Sequence, residues 1–318
     1  AETFLASANL RLVLAALFGC VIGQAALFYM GTFYAYYFLE RIARLDGMTV
    51  ALLTSVALVI GTPLVVACGW LADRVGRRPL LLGSVALAAV LYFPLFHALL
   101  AAANPALAEA RATAPVVVHA DPDDCSLLFD PLGRARHDDR SCDVVKSALA
   151  RGGVGHATVA LEVPGPAWLE VGARRVVAPD AATLAGAGRH DAIASFQAEA
   201  GRALEAAGYR GQADPARVDR PRVVAILVAL LALAAACSGA YAALLAELFP
   251  ARIRYTALSF PQNFGNGWFG GLLPAITFAI VAATGNLFAG LWYPVGLAVL
   301  CFVVGWFAIP ETRGRPMH

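Results

Sequence analysis

The stretch Gly69-Trp-Leu-Ala-Asp-Arg-Val-Gly-Arg-Arg-Pro-Leu-Leu81 places four charges within six residues, between two long apolar runs. Charged side chains are costly inside hydrocarbon and cheap at its edge, so the pattern reads as a tight turn joining two membrane-crossing helices. Gly76 gives the turn its conformational freedom, and Pro79 suits the first turn of the next helix. The whole chain agrees, being 59% hydrophobic and 14% charged with a mean hydropathy of +0.67. A soluble domain has about half apolar and about a quarter charged residues. The formal net charge is only +2, and the arginines sit at the ends of apolar runs, which excludes a basic face for nucleic acid.

Crossing about 30 Å of hydrocarbon takes roughly 20 helical residues. Uncharged runs of that length are Leu12 to Leu39, Met48 to Ala72, Leu80 to Ala103 and Val223 to Ala246. From Tyr255 to Pro310 no charge occurs, which is too long for one span, and Ala283-Thr-Gly-Asn286 is the natural break. Six helices result. If they alternate, Arg11, Arg74, Arg77, Arg78, Arg252, Arg254, Arg313 and Arg315 share one side, which the positive-inside rule makes cytoplasmic. The expectation is a multi-pass protein of the inner or plasma membrane with both ends of the sequence cytoplasmic. The opening AETFLASANLRL lacks the order of a signal peptide, so the start reads as a cut inside a longer protein.

Residues 104–220 are different, with charges, prolines and glycines throughout. Short β-like runs (Pro115 to His119, Thr158 to Val163, Val176 to Ala178) alternate with helical ones (Ser141 to Arg151, Ala192 to Ala207), which predicts a small soluble α/β domain. Alternation places it outside the cytoplasm, where Cys125 and Cys142, its only cysteines, are expected to form a disulfide. A zinc site from His119, Cys125, His137 and Cys142 is the alternative, but its spacing matches no usual ligand pattern and it needs reduced thiols. No metal site is therefore expected, and neither a hydrolase elbow nor a phosphate loop is present.

The opening stretch resembles the G-x-L-a-D-r-x-G-r-R-x-x-L loop of the major facilitator superfamily, matched by Gly69, Leu71, Ala72, Asp73, Arg74, Gly76, Arg77, Arg78 and Leu81. Glu247-Leu-Phe-Pro-Ala-Arg-Ile-Arg254 and Pro310-Glu-Thr-Arg-Gly314 resemble two further loops of such transporters, in the family's order. Ala246 to Pro274 is similar to the segment leading into helix eleven of the metabolite:proton symporter group, which includes proline/betaine, α-ketoglutarate and shikimate transporters. The resemblance implies an all-α transmembrane fold, a six-helix half of a major facilitator bundle interrupted by the α/β insertion. Residues 1–103 then carry helices seven to nine, 104–220 the insertion, and 221–318 helices ten to twelve and a cytoplasmic tail. It also implies that the missing N-terminal six-helix half holds the proton-coupling residues.

Two sets of residues follow as candidates. Asp73, Glu247 and Glu311, interleaved with Arg74, Arg77, Arg78, Arg252, Arg254 and Arg313 around Gly76, are expected to form a cytoplasmic latch of carboxylate–guanidinium contacts, weak enough to break in each transport cycle. The plainer reading is that the arginines only fix orientation. Inside the spans, Gln24, Tyr29, Thr32, Tyr34 and Tyr36 run down the first helix, while Gln262, Asn263 and Asn266 share the fifth with Gly265, Gly267, Gly270 and Gly271. Gln24, Tyr29, Tyr34, Gln262, Asn263 and Asn266 are the substrate-cavity candidates, with helix packing as the alternative. His97, near the outer end of its helix, is expected at the membrane interface, as are Tyr36 and Tyr37.

The expected function is secondary active transport, a proton-coupled symport of a small polar metabolite such as an organic acid, betaine or amino acid. The chain is not expected to be an enzyme and needs no cofactor beyond a proton gradient. Its expected partners are the lipid bilayer, a small-molecule substrate and the N-terminal half, with no nucleic acid. A membrane-anchored sensor acting through the insertion, and a half-size transporter that dimerises, are the alternatives.

Overall fold

The computed structural model describes residues 7–126, 140–163, 165–184 and 186–313. Among the described residues, six helices are long and apolar enough to cross a membrane: α1 (Asn9–Ile42), α2 (Gly47–Val75), α3 (Arg77–Ala103), α7 (Arg220–Leu248), α8 (Arg254–Thr284) and α9 (Ala289–Ala308). They are helical because backbone N–H and C=O groups have no other partner in hydrocarbon. The protein is a multi-pass membrane protein. Helix α1 is the enclosed one, burying Val13, Cys20, Met30, Tyr34 and Phe38 completely, whereas α2 leaves Leu52, Val59, Val66 and Trp70 exposed.

Glycines set how closely the spans pack. A Cβ on Gly239 of α7 would lie 2.7 Å from the backbone nitrogen of Gly69 in α2, and one on Gly305 of α9 2.6 Å from the carbonyl oxygen of Gly19 in α1. Any side chain at these crossings forces the helices apart. Helix α1 is also interrupted by widened turns at Leu17–Val21, Met30–Tyr34 and Phe38–Ile42, and α8 by one at Gly265–Gly271. Such turns free carbonyls and bend the helix locally.

Between α3 and α7 lies the insertion. Its elements are α4 (Pro105–Thr113), β1 (Val116–Ala120), α5 (Ser141–Arg151), β2 (Ala157–Ala160), β3 (Trp168–Val171), β4 (Arg174–Val177) and α6 (Gly186–Ala206). The sheet has the order β2-β1-β3-β4, with β1 parallel to β2 and the other neighbours antiparallel. Alternate residues Val116, Val118, Ala120, Leu169 and Val171 are buried, as the two-residue period of a strand requires, and α5 and α6 cover the sheet. The strand β3 was not expected from the sequence. Cys125 and Cys142 are joined in a disulfide. That bond removes both sulfurs as thiolate ligands, and His137 lies outside the described residues, as does Gly314 of the Pro-Glu-Thr-Arg-Gly segment.

The insertion is docked, not tethered. Arg44, just beyond α1, adopts a left-handed backbone (φ 61). Its guanidinium donates to the carbonyls of Arg210, at 2.5 Å, and Gly152, while its own carbonyl accepts from Ala213 N–H at 2.9 Å. At the α8–α9 turn, His156 N–H donates to Gly285 O at 2.8 Å. Phe288 is covered by His97, with ring centroids 3.6 Å apart, and by the Arg111 guanidinium at 5.2 Å. His97 remains exposed while stacking on Phe288, and its Nδ1 lies 2.8 Å from Phe93 O.

Burial pushes the His156 imidazole down to about 4 from its ordinary 6.5, with Lys146 reinforcing the shift and the Val154 carbonyl opposing it. Above pH 6.5 the ring is neutral whether docked or free, and docking is at full strength. Between pH 6.5 and about 4 only the free form takes a proton, so docking weakens as pH falls. Hydrogen exchange at residues 153–156 and 285–287, corrected for intrinsic rates, should therefore quicken from pH 7.5 to pH 5, by up to about tenfold per pH unit. His156→Gln should remove this dependence.

Candidate functional site

Two sites emerge, one at the Gly76 end of the bundle and one between α1, α7 and α8. At the first, α2 and α3 are joined by Gly76 alone, with φ 118 and ψ 151. A side chain there is excluded twice, by this backbone angle and because a Cβ would sit 2.7 Å from Glu311 Oε2. The turn aims the first backbone N–H groups of α3 at that carboxylate. Glu311 accepts from Arg77 N–H at 3.2 Å and Arg78 N–H at 3.1 Å, and from Thr312 and Arg313 N–H at 3.0 and 2.9 Å. Burial raises its pKa, but these four donors outweigh burial and hold the carboxyl below its ordinary range. A carboxylate on a helix N-terminus is stabilised by the aligned peptide dipoles.

Arg77 collects the other two carboxylates. Its Nη2 lies 3.1 Å from Asp73 Oδ1 and 3.2 Å from Glu247 Oε1, so one guanidinium joins α2, α3 and α7. Glu247 is largely covered while Asp73 is 68% exposed, which makes the Asp73 contact the weaker of the two. The remaining arginines differ from expectation. Arg78 donates to the Trp306 carbonyl and lies over that indole, Arg74 covers the Trp70 ring at 3.9 Å, and Arg254 Nε donates to Phe249 O at 3.0 Å. Glu311 thus binds backbone N–H groups where guanidinium contacts were expected, because the start of α3 is the nearer and better aligned donor. Arg252 lies exposed in the turn between α7 and α8.

The second site is a recess of about 310 Å³ lined by Gln24, Phe28, Tyr241, Gln262, Asn263 and Asn266, from α1, α7 and α8. Four of the six expected cavity residues meet here. Gly265 packs on Val21, and Gly270 packs on the Tyr29 ring, where a Cβ would come within 2.5 Å. This fit seats α8 against α1 with its carboxamides toward the recess. Asn263 and Asn266 Nδ2 each donate four residues back along α8, to Ser259 O at 2.8 Å and Gln262 O at 2.9 Å, leaving their oxygens for other partners. Gln24 Oε1 and Tyr241 OH are buried with no hydrogen-bond partner among the described residues.

Tyr29 and Tyr34 do not line this recess. Tyr29 stacks on Phe33 at 5.2 Å and fills the groove at Gly270. Tyr34 is fully buried among Phe38, Phe96 and Phe278, so its bulk serves packing. Of the glycines that the sequence offers for close packing on α8, Gly265 and Gly270 meet α1 side chains, whereas Gly267 has no described atom within 4 Å of a would-be Cβ. Tyr241 is not among the cavity residues expected from the sequence, although a lone phenol amid Ala and Gly within a span is a usable signal.

The profile of sugar (and other) transporters matches residues 1–118 and 216–318, covering all six spans. The chain belongs to the sugar (and other) transporter family. No curated protein and no solved structure matches it. In this transporter the two matched stretches meet at both sites, since Arg77 lies in the first and Glu247 and Glu311 in the second.

Replacing Glu311 by Gln should lower the thermal midpoint of the purified protein at pH 7, through loss of about 1 kcal/mol of helix-terminus stabilisation. Because the folded-state pKa is depressed, this stabilisation is present above the unfolded value and disappears as pH falls through the folded one. Melting curves of the two proteins should converge in acid.

Proposed function

We propose that this chain forms the C-terminal half of a proton-coupled symporter of the metabolite:proton group, moving a small polar metabolite across the cell membrane. The observation that carries the reading is the recess, where two buried polar atoms without partners face three carboxamides. Buried polar groups left unpaired are costly, and a solute passing between two bundles pairs them only transiently. The recess holds carboxamides and a phenol but no ionised group. It therefore suits the hydroxyl, amide or carbonyl portions of an organic acid, betaine or amino acid. The proton-coupling carboxylates belong, on this reading, to a partner bundle of six further helices. The Arg77 end lies in the cytoplasm and the insertion outside it.

Asn263→Ala should raise the KM for uptake by about fivefold, equivalent to one hydrogen bond of about 1 kcal/mol, with kcat little changed. Uptake by cells expressing the full-length protein, screened over organic acids, betaines and amino acids with and without a protonophore, provides the measurement. Reduced expression with an unaltered KM would make the residue a packing element and sink the assignment.

The Arg77 cluster is the cytoplasmic latch of this cycle. The supporting feature is the exposed Asp73 carboxylate, held by a single contact on one side and open to water on the other. Asp73→Asn keeps size and leaves every arginine to set orientation, so membrane insertion should be normal while transport falls sharply. Wild-type uptake by this variant would reduce the stretch to a basic turn.

A further inference from the structure

At the opposite end of the bundle from Arg77, the docked insertion roofs a cavity of about 780 Å³. Its floor is the last turns of α8, including Phe278 and Ala282, and its roof is the segment from Arg151 to His156. The seam beside it is closely fitted. A Cβ on Gly153 (φ 60) would lie 2.7 Å from Arg41 O, and one on Gly285 (φ 71) 2.7 Å from His156 O. Neither glycine can be replaced without strain, so the cavity has fixed walls and is not a gap between loosely associated parts.

The charges around it are of one sign. Arg41 enters from the end of α1 and Arg151 from the end of α5, while no Asp or Glu among the described residues lines the cavity. Arg41 lies 5.8 Å from the Tyr37 ring, and neither guanidinium has a carboxylate partner among the described residues. Glu40 and Glu205 line a neighbouring cleft that shares both arginines, yet neither is paired with them. His156 is neutral near pH 7, its pKa depressed by burial. Two exposed guanidiniums, one from each body, thus stand at the mouth of a mainly apolar chamber. Guanidinium forks bind carboxylates through charge-assisted hydrogen bonds, and the alanine-, leucine- and phenylalanine-lined floor favours an apolar remainder.

We propose that this cavity is a binding site for a small organic carboxylate with an apolar body, distinct from the recess between α1, α7 and α8. The carboxylate bridges Arg41 and Arg151, and the body lies against Phe278 and Ala282. Binding here needs no turnover, so its test stands or falls independently of the transport reading.

The test uses the full-length protein in lipid nanodiscs at pH 7.5, with benzoate as probe and benzamide as its neutral counterpart, followed by ligand-detected NMR. Saturable benzoate binding is expected, at least about tenfold tighter than that of benzamide. Arg41→Gln and Arg151→Gln should each weaken it about five- to tenfold, while Arg151→Lys, which keeps the charge but loses the fork, should fall between Arg151→Gln and the parent protein. Ala282→Phe, which fills the floor and leaves both charges, should abolish it. Equal affinity for benzamide, unchanged benzoate binding in both Gln variants or in Ala282→Phe, or no saturable binding at all would overturn the proposal. Loss of binding in Asn263→Ala would move the ion to the recess and overturn it equally.

Discussion

Hydrocarbon offers a peptide group no hydrogen-bond partner except another peptide group, and this constraint shapes the bundle before any side chain is considered. It makes all six spans helical and pushes nearly every charge to their ends. Several polar side chains that remain inside are returned to their own helix: Thr32, Thr62, Asn263, Asn266 and Thr277 all donate to carbonyls four residues back. Gln24 Oε1 and Tyr241 OH, like Tyr34 OH, Thr54 Oγ1 and Tyr92 OH, lack a partner among the described residues, and of these five only the first two line the recess.

The two ends of the bundle are held by different physics. The two ion pairs of Arg77 are partly hydrated, so they are sensitive to salt and can exchange partners at little cost, while Glu311 beside them is fixed by backbone N–H groups. Around Arg44, His156 and Gly285 the contacts are guanidinium–carbonyl and backbone hydrogen bonds with glycine-limited close approaches, which are directional and resist sliding. The first arrangement tolerates rearrangement, and the second resists it.

How much of this was legible in the sequence depended on whether the signal was local. Uninterrupted apolar length is itself the mark of a span, so Met48 to Ala72 and Val223 to Ala246 fall within α2 and α7. The charged turn at Gly76 was equally plain. The strand β3 escaped because four residues, Trp168 to Val171, directly after a proline-containing loop are too short to show a period. Contacts between distant residues were not readable at all, such as Arg44 with Arg210, 166 positions away. Glu311 shows a subtler limit: acidic and basic residues at matching spacing imply ion pairs, while the backbone donors of a helix start carry no letter in the sequence. Tyr34 erred the other way, because a phenol among polar neighbours in a list becomes one ring among four in the packed interior.

The insertion leaves and re-enters the bundle at one spot. Asn104 ends α3, accepts from Leu107 N–H to start α4 and donates to Ala43 O, while Asp219, which caps α7, donates its N–H to Ala102 O at 3.0 Å. With its two ends stitched side by side, the intervening chain imposes almost no closure cost on the membrane part, whatever its length. For the connection between α3 and α7 alone, more than a hundred residues are equivalent to a short loop, while the docking contacts at Arg44 and Gly285 belong to the insertion itself. The junction between Asn104 and Asp219 is thus a ready-made splice point, at which a fluorescent protein or an affinity module could replace the natural cargo while α3 and α7 keep their places.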